Sequence, residues 1–153
     1  MQFVRSEAIS DYLLTPEGVR PLAAGVLFFG EKPGPVFAPF LYPEEGPGGA
    51  IAGYSPAFSF RARLVPDDPA CALLWDIARS RRIGDRAETF LYRVERFSGA
   101  PCPARRIRVA VAVEEIQTTP GESVTLEGTF HQLGDAQEGT FDPTALVFTP
   151  AQA

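Results

Sequence analysis

The sequence predicts a mainly β domain of the α+β class, in which an antiparallel sheet carries one flanking amphipathic helix. Apolar and polar residues alternate with period two in several segments, as they do in strands that bury one face. Only one segment, 68–83, combines apolar residues at helical spacing with start and stop signals. A length of 153 residues fits a single domain, 1–153, with one core.

The composition argues against several classes of protein. The chain has 45% hydrophobic and 22% charged residues, which is typical of a folded domain. Its net charge of −5 and its scattered basic residues argue against a surface that binds nucleic acid, because such surfaces cluster Lys and Arg. No run of 18 apolar residues and no signal-peptide pattern are present, so we expect cytoplasmic synthesis and no membrane partner.

The first 56 residues are rich in Pro and Gly. Residues 1–18 predict an N-terminal arm with a short strand, and Pro21 excludes the following segment from a central strand position. Residues 30–49 predict a long Pro/Gly-rich loop, and long loops are often functional. This loop either covers a partner surface or folds back on its own domain through an apolar cluster of Val36, Phe37, Phe40, Leu41 and Tyr42.

Residues 54–65 predict a half-buried strand. The even positions from Phe58 to Leu64 are apolar, and the odd positions between them are polar. A second alternation around residues 90–95 follows the helix, so the order strand, helix, strand is compatible with a parallel crossover. The clean alternation on both sides favours an antiparallel arrangement instead.

The predicted helix, 68–83, has signals at both ends. Asp68 can cap its N-terminus, and Pro69 suits the first helical position, where a missing N–H costs nothing. Gly84 suits a left-handed residue just after the C-terminus. The helix is expected to pack on the sheet through one apolar stripe, which consists of Ala70, Leu73, Leu74, Ile77 and Ala78.

A long hairpin is predicted over residues 105–132. The odd positions from Ile107 to Val113 are apolar, turn-forming residues occupy 118–123, and a second alternating strand follows. The opposite face of the first strand carries the small residues Ala110 and Ala112, so another element or subunit can approach it closely. A final hairpin is expected to turn at residues 142–144.

No arrangement of residues predicts an active site. Cys71 and His131, the single histidine, lie on a predicted helix and a predicted strand, and nothing marks them as a catalytic dyad. His131 also has no partners at metal-ligand spacing. The paired carboxylates at 44–45 and 114–115 are adjacent residues, which point to opposite faces of a regular strand. We therefore expect no catalytic residues, no cofactor and no metal.

The features between residues 54 and 149 resemble, in their order, the tail tube proteins (major tail proteins) of long-tailed bacteriophages and prophages, above all those of Gram-positive hosts. No single motif carries the resemblance. The stretches concerned are GYSPAFSF at 53–60, DPACALLWDIAR at 68–79, RIG at 82–84, PARRIRV at 103–109 and EGTFDPTALVFT at 138–149.

This resemblance implies a structural protein and not an enzyme. Tail tube proteins are antiparallel β-sandwiches or barrels with one flanking helix, and they form hexameric rings that stack into a hollow tube for DNA. The implied partners are copies of the chain itself, the baseplate, tape-measure and terminator proteins, a sheath where the tail has one, and DNA in transit. The implied location is the virion tail. An acidic chain suits this role because its lumen would repel phosphate.

The resemblance also implies roles for particular surfaces. The hairpin 105–132 would build the lumen wall, the helix would pack outside it, and the loop 30–49 with the N-terminal arm would contact the next ring. The candidate subunit contacts are Val36, Phe37, Phe40, Leu41, Tyr42, Ala110 and Ala112. The candidate lumen-facing residues are Glu114, Thr125, Glu127 and Thr129.

The alternative interpretation is a small carbohydrate- or peptide-binding β-sandwich. Its stacking residues would be Tyr42, Tyr54, Trp75 and Tyr92. A binding module is expected to be a monomer with an exposed aromatic cleft. A tube subunit is expected to bury its long loop and its sheet edges against copies of itself.

Overall fold

The computed structural model describes residues 1–152, which contain eleven strands and one α-helix. The helix, α1 (Pro69–Ser80), lies in the chain between the sixth and seventh strands. The strands are β1 (Ile9–Thr15), β2 (Gly18–Pro21), β3 (Val26–Lys32), β4 (Pro35–Tyr42), β5 (Gly46–Tyr54), β6 (Ala57–Arg63), β7 (Glu88–Glu95), β8 (Cys102–Gln117), β9 (Thr125–Gln132), β10 (Gln137–Asp142) and β11 (Val147–Pro150).

Nine of the described strands form one sheet, and every pairing in it is antiparallel. The main order is β2-β1-β7-β8-β9-β6-β3, and β10 pairs with the first part of β8 and with β11. The sheet curls into a half-barrel with one flanking helix. This confirms the mainly β, antiparallel fold class and excludes the parallel crossover.

The main core lies between the inner face of the curled sheet and α1. Phe58 on β6 and Phe130 on β9 are fully buried, and Val109 on β8 is equally inaccessible. The helix adds four of the five predicted stripe residues to this core: Ala70, Leu73, Leu74 and Ile77 are buried, whereas Ala78 is half-buried. The strand and helix periodicities therefore identified the core correctly.

A second, smaller core covers part of the outer face of the sheet. Tyr12, Tyr92 and Ala104 are buried there beneath Phe141 of the hairpin β10–β11. The ring centroids of Tyr12 and Phe141 are 4.6 Å apart, which is close enough for a favourable aromatic contact. The rest of the outer face, on β8, β9, β6 and β3, has no such cover among the described residues.

The helix begins as predicted and ends earlier than predicted. The carboxylate of Asp68 accepts a hydrogen bond of 3.0 Å from the backbone N–H of Cys71, so Asp68 is the N-cap. The left-handed residue at the C-terminus is Arg81, with φ of 49°, and not Gly84. The N–H of Arg82 closes the helix by bonding to the carbonyl of Ile77, which is the Schellman arrangement around a non-glycine residue.

The long hairpin predicted at 105–132 is present as β8 and β9. Its pairing contains a bulge between Val113 and Glu115, where the register shifts by one residue. Gly128 lies opposite this bulge, and a Cβ there would lie 2.0 Å from the carbonyl oxygen of Ala112. Glycine at 128 is therefore required for the two backbones to approach each other.

The N-terminal region is more ordered than the expected arm 1–18. β1 is an internal strand that pairs with both β2 and β7, so only residues 1–8 precede the sheet. Its alternation is short and Pro16 follows it closely, which is why the sequence suggested an arm. Pro21 ends β2 at the edge of the sheet, as its missing N–H requires.

The expected loop at 30–49 is wrong. Residues 26–54 form β3 and then a separate two-stranded ribbon of β4 and β5, connected by the turn 43–45. Proline is compatible with this ribbon because each strand has one free edge, where a missing N–H leaves no hydrogen bond unmade. The density of Pro and Gly therefore marked an isolated hairpin and not a loop.

Candidate assembly surfaces

The ribbon of β4 and β5, which we call the hairpin arm (residues 33–56), presents large apolar side chains on both faces. None of its residues belongs to either core cluster among the described residues. Leu41 is 81% exposed and Tyr54 is 64% exposed. The five apolar contact candidates of the sequence all lie on β4 and are all exposed: Val36, Phe37, Phe40, Leu41 and Tyr42.

Aromatic residues on β4 lie across glycines on β5. A Cβ at Gly48 would lie 2.5 Å from the Tyr42 ring, and a Cβ at Gly49 would lie 2.3 Å from the Phe37 ring. These aromatic rings pack over the backbone of the glycines, which have no side chain of their own, and this packing makes the ribbon compact. An isolated two-stranded hairpin is nevertheless marginally stable in water. The exposed apolar arm therefore has the character of a surface that becomes buried on assembly.

A half-buried ionic cluster lies at the base of the hairpin arm. Glu31 on β3 accepts two hydrogen bonds from the Arg105 guanidinium, of 2.9 and 3.2 Å, and lies 3.6 Å from Arg93. The Arg93 guanidinium also packs over the Phe29 ring, 5.6 Å from its centroid. The hydrogen bond from Arg105 holds the pKa of Glu31 below its usual value. This cluster connects the edge strand β3 to the centre of the sheet, and nothing in the sequence predicted it.

Asp11 is the member of this cluster whose negative charge is least compensated by its neighbours. Its Oδ1 lies 3.8 Å from Arg93 Nη1, and neither atom has a hydrogen-bond partner among the described residues. Burial raises the pKa of Asp11 to about 6, and the opposing attraction of Arg93 does not cancel that effect. The folded chain therefore binds a proton on Asp11 at pH values where the unfolded chain does not.

This shift predicts a pH dependence of stability. Between the ordinary pKa of 3.8 and about 6, the folded state binds more protons at Asp11, so the stability that this group contributes falls as pH rises. Compared with Asp11→Asn, the wild-type chain should lose on the order of 3 kcal/mol across this window. Denaturant unfolding of both proteins between pH 3.5 and about 7.5 measures the difference. A wild-type stability that keeps a constant offset from that of Asp11→Asn, or that rises relative to it as pH rises, would show that Arg93 compensates Asp11 fully.

The uncovered outer face brings together two sets of residues that the sequence assigned to different roles. Ala112 on β8 pairs directly with Thr129 on β9, and Ala110 pairs with His131. The candidate contacts Ala110 and Ala112 therefore lie on the same face as the lumen candidate Thr129. Thr125, in contrast, is 8% exposed and offers no surface to a lumen.

The polar residues of this outer face bond to one another. Thr129 donates a 2.9 Å hydrogen bond to Glu114, and Gln117 donates a 3.0 Å hydrogen bond to Glu115. The bulge in β8 lets both adjacent glutamates bond to outer-face residues, so the rule that neighbours point to opposite faces fails here. Arg61 donates to Gln117 and pairs across the strands with Glu127. The face is therefore polar and of mixed charge, and several of its side chains bond to one another.

The structure does not bring Cys71 and His131 together. Cys71 is buried at the start of α1, where its thiol donates to the carbonyl of Arg63 and accepts from the N–H of Val65. Burial raises the pKa of this thiol, which disfavours the nucleophilic thiolate. His131 is exposed on the outer face. Among residues 1–152, no cluster of His, Cys, Asp and Glu could hold a metal ion.

The four aromatic residues of the alternative interpretation do not form one cleft. Tyr92 is buried under β10 and β11, and Trp75 packs against the main core from the helix. Tyr54 and Tyr42 lie at opposite ends of the hairpin arm, since Tyr54 pairs with Pro35 and Tyr42 pairs with Gly46. No helix within residues 1–152 is long and apolar enough to span a membrane.

Solved structures show the same fold. The SPP1 tail tube superposes with a TM-score of 0.68 at 12% identity, covering 94% of this chain and 83% of that chain. The tail of an empty GTA particle, refined with C6 symmetry, has a TM-score of 0.61 at 9% identity and covers 88% and 97%. The anti-feeding prophage baseplate, 6-fold symmetrised, has a TM-score of 0.55 at 5% identity and covers 90% and 96%.

These structural neighbours are components of phage or phage-like tails. Comparison with protein-family models and with curated protein sequences found no match. At identities of 12% or less, the likeness rests on the path of the backbone and not on shared side chains. The chain has the tail-tube fold: a curled antiparallel sheet with one helix packed on its inner face.

Proposed function

We propose that this protein is the structural subunit of a phage-like tail tube, in which stacked rings of identical copies enclose a channel for DNA. The observation that carries the proposal is the combination of the tail-tube fold over 94% of the chain with an exposed apolar hairpin arm. A monomer gains nothing from such an arm, whereas an assembly buries it. Six copies per ring accord with the C6 and 6-fold symmetry of two structural neighbours.

In this assembly, the hairpin arm contacts the next ring and residues on β8 and β9 build the lumen wall. Virion tail location and the other tail proteins as partners follow from the same role. Two arginines of the outer face are engaged, since Arg61 bonds to Gln117 and Arg108 pairs with Glu88. Arg63 is exposed on the same face without a side-chain partner among the described residues. Phosphate retention needs clustered unpaired cations, and this face places the carboxylates of Glu114, Glu115 and Glu127 among its cations, so it would let DNA slide.

Sedimentation velocity over a wide concentration range tests the proposal. A tube subunit should show large species that grow with protein concentration, because each copy presents an unburied apolar arm. A single monomeric species at every concentration would contradict self-assembly and favour a binding module.

The outer face can serve either as a lumen wall or as a contact between subunits. Its mutually bonded polar residues favour the lumen, so we assign Ala110 and Ala112 to the lumen wall together with Glu114, Glu127 and Thr129. Ala112→Arg should then leave tube length unchanged in electron micrographs, because a long side chain extends into an open channel. Loss of tubes with a folded monomer, checked by circular dichroism, would instead make the two alanines close-packed subunit contacts.

A further inference from the structure

Four arginines surround the C-terminal end of α1: Arg79, Arg81, Arg82 and Arg86. Segment 79–86, which we call the arginine cluster, contains one acid, Asp85, and has a net charge of +3. Within the described part of the chain, none of these arginines forms an ion pair or a side-chain hydrogen bond. The cluster is therefore an unneutralised basic surface, so the expectation that the basic residues are scattered fails for this segment.

The arginine cluster also has an apolar centre and two adjoining grooves. Ile83 lies among the arginines and is 81% exposed. A groove of about 580 Å³ separates residues 81–83 from residues 111–116 of β8, which include Glu114 and Glu115. A second groove, of about 310 Å³, lies beside Arg82 and Arg86 and is lined by Leu14 and Leu73 among others. The unpaired arginines favour a partner with negative charge, and the exposed Ile83 favours one with exposed apolar side chains.

The tip of the hairpin arm has these two properties. Between Lys32 and Arg61 the sequence contains two charged residues, Glu44 and Glu45, and both are exposed in the turn. Leu41, 81% exposed, lies just before this turn. The tip is thus an acidic, apolar surface that complements the arginine cluster in charge and in chemistry.

The strand register places the two surfaces toward opposite ends of the sheet. β3 ends at Lys32, which pairs with Ala57 on β6. Ala57 pairs with His131 on β9, and His131 pairs with Ala110 on β8, so these four residues form one row across the sheet. The hairpin arm follows Lys32 and therefore lies beyond this row. β7 starts at Glu88, which is also paired with Ala110, and runs in the same direction as β3. Segment 79–86 precedes Glu88 and therefore lies on the other side of the row.

We propose that the tip of the hairpin arm in one copy docks on the arginine cluster of the next copy along the tube axis. Glu44 and Glu45 pair with Arg81 and Arg86, and Leu41 packs against Ile83. This inference rests on the proposed tube function and names the surface that receives the arm. A contact between two different surfaces on opposite ends of a subunit is heterologous, so it repeats without closing and produces an open stack.

Two charge-reversed variants test the proposal by complementation. The first is Glu44→Lys with Glu45→Lys, and the second is Arg81→Glu with Arg86→Glu. Each variant alone opposes like charges at every junction, so the large species seen for wild type by sedimentation velocity should be lost. In an equimolar mixture, each junction between unlike variants pairs opposite charges, and the large species should return. The recovered species should also dissociate at high salt more readily than a purely apolar contact.

A matched control changes two exposed acids outside both surfaces, Asp135→Lys with Glu138→Lys. This control should assemble like wild type, and circular dichroism should show that all the variants are folded. Variants that assemble alone, or a mixture that fails to recover, would overturn the docking while leaving the tube function intact. Wild-type protein that stays monomeric would instead reject the tube function, and the docking with it.

Discussion

Replacing Phe37, Phe40 and Leu41 with threonine should abolish self-assembly while leaving the monomer folded. These side chains are 59%, 51% and 81% exposed in the isolated chain, so the fold loses little when they are removed. If assembly buries these side chains, the substitutions reduce the free energy of association by about 1.5–3 kcal/mol per side chain, which is roughly 10³-fold or more in affinity for all three. Threonine keeps the β propensity of the strand, so the ribbon itself should persist.

The matched control for this experiment changes exposed apolar residues outside the hairpin arm. Phe97 is 52% exposed and Val147 is 53% exposed, and neither lies on the arm. Phe97→Thr with Val147→Thr should therefore assemble like wild type in sedimentation velocity. If the arm variant assembles as well as this control, the arm is not an assembly surface.

Phe130→Ala should produce the largest loss of stability among single substitutions in the core. Phe130 is fully buried, and its ring lies 4.9 Å from the Phe60 ring and 5.7 Å from the Phe29 ring, measured between centroids. Truncation removes the aromatic contacts and leaves a cavity, which costs about 3–5 kcal/mol. The corresponding fall in melting temperature is on the order of 10 °C. Thermal and denaturant unfolding measure both quantities.

Phe28→Ala is the control for this substitution. Phe28 belongs to the edge strand β3 of the same sheet and is 56% exposed, so its truncation should change stability by about 0.5 kcal/mol or less. Equal losses for the two variants would mean that Phe130 is not at the centre of the core. Because Phe130 supports β9, its loss should also weaken assembly at temperatures where the monomer partly unfolds.

Periodicity predicted most of the fold because the core obeys it. Alternation identified β6 and β8 and their buried faces, and the cap at Asp68 located the start of α1. Local sequence did not predict the end of the helix, because Arg81 adopts a left-handed conformation that glycine usually occupies. It also missed the bulge opposite Gly128, because a register shift depends on the partner strand.

The candidate surfaces were only partly predictable for a related reason. The sequence showed the apolar cluster on β4. It did not show that β4 pairs with the glycine-rich β5, where aromatic rings of β4 lie over the glycine backbone. The ionic cluster joins residues from four strands, so no local spacing in the sequence predicts it. Its members are Asp11, Glu31, Arg93 and Arg105. Ala112 and Thr129 were assigned opposite roles because their shared face depends on register.

Electron microscopy of the concentrated protein tests the central claim most directly. The account predicts hollow tubes of stacked rings with six-fold symmetry, in which the hairpin arm of each copy reaches the adjacent ring. Isolated compact particles at every concentration, with no rings or tubes and with the arm still exposed to solvent, would contradict it.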